Sequence, residues 1–132
     1  MTPSPAVRRR QDAGNATVEF LLVAILVVAV ALGVIQLALS LHVRNILISS
    51  AHEGAHYAAL SDRSLGDGEA RAQTLVSGAL GAIPAEFTAR QIALDGVPAV
   101  ELTVVAKVPV VGMWGVGEQH VTAHALAEVP RG

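Results

Sequence analysis

His52-Glu53-Gly54-Ala55-His56 is an H-E-x-x-H pentapeptide. On a helix that spacing sets two imidazoles one turn apart, where both can bind zinc, and puts a carboxylate beside them to polarise a metal-bound water. This is the chemistry of a metalloprotease. Against it, no third ligand follows at a zincin-like spacing, and the chain outside its long apolar stretch is too short for a usual protease cleft. Two further histidines, His120 and His124, fall four apart in an alternating segment and share one strand face. A site joining them to His52 and His56 is geometrically conceivable, but scattered surface histidines are the plainer expectation. Gly66-Asp67-Gly68 lacks the spacing and the lysine of a phosphate loop, and no Ser/His/Asp arrangement stands out. The residues therefore lead us to expect no catalytic group, no metal and no cofactor.

A second group lies where polar sequence turns apolar. Gly14-Asn15-Ala16-Thr17-Val18-Glu19-Phe20 runs straight into a stretch with no charged residue from Phe20 to Leu41. A carboxylate at such a junction is costly unless it is paired, held in the headgroup zone or stabilised by the positive end of a helix dipole. A cut after Gly14 would supply a partner, because the new amino group of Asn15 lies one helical turn before Glu19. An interfacial acid without a role is the alternative.

Both groups are positioned by one element. Residues 20–41 as a helix span about 33 Å, enough to cross a bilayer. Arg8, Arg9 and Arg10 precede them, a bias that keeps the N-terminus cytoplasmic and sends the rest across. The apolar run is longer than a removable secretory signal, and its polar junction lies before it, so a retained single-pass anchor is expected. Residues 1–14 read as a basic leader without regular structure. Past Leu41 the helical period continues through Val43, Ile46, Leu47, Ser50, Ala51, Gly54, Ala55 and Ala58, so one helix is expected from near Thr17 to near Leu60. Ser50, Gly54 and Ala58, with Ala51 and Ala55, form a seam of small residues where another backbone can approach, within the domain or between subunits.

The remainder, 61–132, reads as a small extracytoplasmic α+β region. Asp67 is a candidate N-cap for a second amphipathic helix carrying Ala72, Leu75, Val76, Ala79, Leu80 and Ile83, which Gly81 and Pro84 end. From Phe87 the period becomes two. Phe87–Leu94 and Val97–Val108 flank Asp95-Gly96, the strongest short hairpin signal, and Glu118–Val129 reads as a third strand of a small antiparallel sheet. Pro98 suggests that the second strand begins after it or is exposed there. Between the last two strands Pro109–Gly117, with Met113 and Trp114, is an apolar loop that either closes over its own sheet or meets a partner or membrane.

Composition narrows the function. Roughly 90 residues outside leader and anchor allow one small domain, and with 3% aromatics its core is built from small aliphatic side chains. The absence of cysteine excludes disulfides, a lipid-modified cysteine and thiolate metal sites. After Gly14 six Lys/Arg face ten Asp/Glu, a net-acidic body that argues against nucleic-acid binding.

The basic leader, Gly14, Glu19 and Phe20 at the head of a long apolar helix resemble the class III signal of type IV pilins and pseudopilins. The wider run GNATVEFLLVAILVVAVALGVIQLALSLHVRNILISSAHEGAHYAAL resembles the TadE-like minor pseudopilins of tight-adherence (Flp-type) pilus systems. The resemblance implies a pilin-like α+β fold and a role in pilus assembly. It also implies cleavage between Gly14 and Asn15 by a prepilin peptidase, with Glu19 and Phe20 serving recognition and subunit registration. Partners would be that peptidase and other pilin subunits, met through the N-terminal helix. The family's helix often carries Arg where this chain has His52 and His56, so any role of those arginines does not transfer. A signal-anchored adhesin or sensor domain unrelated to pili shares the same topology, and the H-E-x-x-H protease is the remote rival.

Overall fold

The structure is a computed structural model that describes residues 5–109 and 116–128. Its first element is α1, Pro5–Ala58, an unbroken helix of 54 residues. By compactness the chain divides within this helix, into Met1–Ala38 and Leu39–Gly132. In the first unit the large apolar side chains are exposed among the described residues: Phe20 is 72% exposed, and Leu22, Ile25, Leu26 and Val34 are each above 60%. Among the described residues this is the one helix long and apolar enough to cross a membrane. Burying one such side chain is worth roughly 1.5–3 kcal/mol, so a row of them exposed to water is untenable and lipid or protein must cover it.

The leader departs from expectation. Its described part is helical from Pro5 onward, not irregular. Proline suits a first helical position because its missing N–H is unpaired there anyway, and the Ala, Arg and Gln that follow are good helix formers continuous with a strong helix. At the other end the last turn tightens, with Ala59 N–H shared between the carbonyls of Ala55 and His56 at 3.0 and 3.2 Å.

The second unit is built on the C-terminal part of α1. A turn leads to α2, Leu65–Leu80, whose N-cap is Ser64 and not Asp67. Asp67 is the third helical residue and completes a capping box: its N–H donates to Ser64 Oγ at 3.1 Å, and its carboxylate accepts from Ser64 N–H at 2.8 Å. The helix stops at Gly81, whose φ of 75° suits glycine and whose N–H donates to the carbonyl of Ser77.

Three strands follow as an antiparallel meander: β1 Ala85–Leu94, β2 Val97–Pro109 and β3 Val116–Leu126. Asp95 and Gly96 both have positive φ, at 50° and 81°, as a two-residue type I′ hairpin loop requires. That loop fixes the register, Leu94 against Val97 and Arg90 against Glu101. β2 includes Pro98, exposed and opposite Ala93. β3 is displaced toward the N-terminus relative to the expected Glu118–Val129, because pairing with β2 continues as far as Pro109 against Val116. Met113 and Trp114 of the apolar loop lie outside the described residues.

The core lies between the two helices and one face of the sheet. Leu47, Ala51 and Ala55 of α1 and Ala72 and Val76 of α2 meet Leu102, Val104, Ala106, Val121 and Ala123. Ser50, Gly54 and Ala58 are buried with them. The helices approach most closely at two glycines. A Cβ on Gly68 would fall 2.4 Å from Ala58 Cβ and 2.5 Å from the Gly54 carbonyl, and one on Gly54 2.8 Å from the Gly68 carbonyl. The small residues of α1 are thus occupied within the chain, by α2 and the sheet. At the rim Arg71 Nη2 lies 3.5 Å from Glu53 Oε1, and the Arg63 guanidinium covers the Tyr57 ring at 4.8 Å.

Candidate functional site

In the first unit, Asn15 and Glu19 are exposed one turn apart on a helix face that continues through Leu22, Val23 and Leu26. The period of the helix puts them there, and Val18 lies beside them. Gly14 sits in unbroken helix with nothing within 4 Å of where a Cβ would be, so its backbone is accessible from that side. Thr17 Oγ1 donates to the Ala13 carbonyl at 2.9 Å, just upstream of the Gly14–Asn15 bond. Chemically this face offers the exposed carboxylate of Glu19 at the head of an apolar row.

In the second unit, α1 carries His52 and His56 on its exposed face, opposite the buried Ala51 and Ala55. They border an open depression of about 490 Å³ lined by Ser49, His52, Glu53, His56, His124 and Ala125. His124 reaches it because β3 is an edge strand beside α1, an adjacency no local sequence signal carries. His120 is not part of it; its ring pairs with Glu118 on a different part of the sheet. Glu53, the base of the protease reading, lines the depression with them and lies 3.5 Å from Arg71 Nη2. Among the described residues, no three His, Asp or Glu side chains stand close enough together to hold a metal ion as they are.

Next to the depression runs a ladder across all three strands. Arg90, Glu101 and His124 are directly opposite one another, with Arg90 Nε 2.6 Å from Glu101 Oε1 and His124 Nε2 2.9 Å from Oε2. The bond from Arg90, then that from His124, holds the Glu101 carboxyl below its ordinary value. Sequence reasoning missed this triad, although counting back from Asp95-Gly96 pairs Arg90 with Glu101. It also missed Glu69 of α2, whose carboxylate accepts the edge amide of Ala89 at 2.8 Å and so covers one exposed donor of β1.

Compared with known families, residues 14–56 match the model described as TadE-like protein. The match starts at Gly14, follows α1 to His56 and includes neither α2 nor the sheet. Comparison with curated proteins and with solved structures gave no match.

Proposed function

With residues 14–56 TadE-like, we propose that this protein is a minor pilin or pseudopilin of a tight-adherence pilus, cut after Gly14 by a prepilin peptidase and assembled through its N-terminal helix. The observation that carries the reading is the coincidence of the family match with a helix whose large apolar side chains between Phe20 and Leu41 are exposed among the described residues. The arginine-rich leader stays in the cytoplasm, the span lies in the cytoplasmic membrane and the α+β unit lies outside. After the cut, the helix exchanges lipid contacts for contacts with equivalent helices, a trade at little net hydrophobic cost. Glu19 sets the register of that packing: a carboxylate among apolar helices requires a cationic partner. The new amino group of Asn15 is the nearest, its own or a neighbour's. The protein acts by assembly, not by catalysis.

N-terminal analysis of membrane-derived protein tests this. The expected mature chain begins at Asn15. An N-terminus upstream of Gly14, in cells that contain the peptidase, would refute the processing step and favour a simple signal-anchored domain.

A further inference from the structure

The peptide bond between Gly14 and Asn15 lies inside a helix. α1 runs without interruption from Pro5 to Ala58, so the helical pattern commits Asn15 N–H to the Gln11 carbonyl and the Gly14 carbonyl to Val18 N–H. A peptidase acts on chain that has left such a ladder, and the rate of cutting then follows the population of the open form. We propose, on the reading that the chain is cut after Gly14, that local unwinding of α1 between Gln11 and Val18 gates the cut, and that Gly14 sets how readily this turn opens. Arg9 to Phe20 are exposed, so among the described residues this stretch is held by the helix alone. The side-chain bond printed on its backbone, Thr17 Oγ1 to the Ala13 carbonyl, stays within the same turn. The residues hold the helix weakly. Glycine, asparagine and threonine rank low as helix formers, and a threonine bonded back to the carbonyl four residues earlier slightly destabilises a helix and often bends it. A Cβ at Gly14 would meet nothing within 4 Å, so packing among the described residues does not require glycine there, whereas its backbone freedom favours the open chain. The opening also has a limit. As far as Glu19 the released N–H and C=O groups meet water, but from Phe20 the charge-free run would leave them in hydrocarbon. Unwinding therefore proceeds from the leader side and stops short of the span.

The experiment measures two rates on the detergent-solubilised full chain: cleavage by limiting prepilin peptidase, and amide hydrogen exchange at Asn15 and Ala16. Gly14→Ala should slow both by about fivefold, the difference in helix propensity between the two residues. Gln11→Gly, which weakens the helix without touching the bond, should raise both several-fold and should restore the cleavage lost in Gly14→Ala. Faster exchange in Gln11→Gly with unchanged cleavage would overturn the gate. So would a Gly14→Ala defect that Gln11→Gly does not relieve, since Gly14 would then serve only its fit to the peptidase. A wild-type chain that the peptidase leaves uncut while Asn15 exchanges freely would instead refute the cut itself.

Discussion

Gly68→Ala adds one methyl group where α1 and α2 touch. That Cβ would lie 2.4 Å from Ala58 Cβ and 2.5 Å from the Gly54 carbonyl, against a comfortable carbon separation of about 3.5–4.0 Å. Neither neighbour is the end of a flexible side chain, so the helices must part by about 1 Å, a gap that forfeits a quarter to a half of each contact across the seam. Overpacking of this kind costs about 1–3 kcal/mol. Replacing glycine by alanine inside a helix returns about 1 kcal/mol, which leaves a net loss of roughly 0–2 kcal/mol. Gly78 is the internal control: it lies in the same helix, exposed, with nothing within 4 Å of the added Cβ, so Gly78→Ala should stabilise by up to about 1 kcal/mol. Hydrogen exchange of the full chain in detergent, read at α2 and at the sheet, gives the opening free energies without requiring the membrane helix to unfold. Gly68→Ala as stable as Gly78→Ala would refute the close crossing.

Two further outcomes follow from other sites. Gly14→Ala should mainly reduce processing, while Glu19→Ala should leave processing largely intact and reduce incorporation into filaments; both are scored by immunoblot of whole-cell and sheared-pilus fractions. The carboxyls of Asp67 and Glu101 both sit below their ordinary values, the first through the backbone and side-chain bonds of Ser64, the second through Arg90 and then His124. A depressed folded value means that the stability they contribute is fully present above the unfolded value near 4 and is lost as pH falls through the folded one. Thermal unfolding followed by circular dichroism from pH 5 down to pH 2 should show this loss, reduced in Glu101→Gln.

Local patterns were readable because they are set by periods. The step of three and four from Val43 to Ala58 separates the buried from the exposed face of α1, and Asp95-Gly96 fixes the first hairpin and with it the Arg90–Glu101 pair. Cap choice was less so: Ser64 and Asp67 are both good caps, and only the S-x-x-D spacing marks Ser64 as the cap with Asp67 as its reciprocal partner. Contacts between distant segments carry no such mark. Gly54 reads as a small residue wanting a neighbour, but that the neighbour is Gly68 depends on how the turn after Ala58 returns the chain. That His124 arrives beside His52 depends on β3 being the edge strand next to α1.

The meander β1-β2-β3 also sets an order of events. Each strand pairs with its neighbour in sequence, a low-contact-order arrangement that forms fast once all its parts are present. But the wall of the core that α1 supplies is made before the strand holding Val121 and Ala123. Until Leu126 has emerged, Leu47 and Leu102 have an incomplete shelter, and no disulfide can trap a half-built state. The core is therefore complete only once β3 is in place, because Val121 and Ala123 close the wall against which Leu47 and Leu102 are buried.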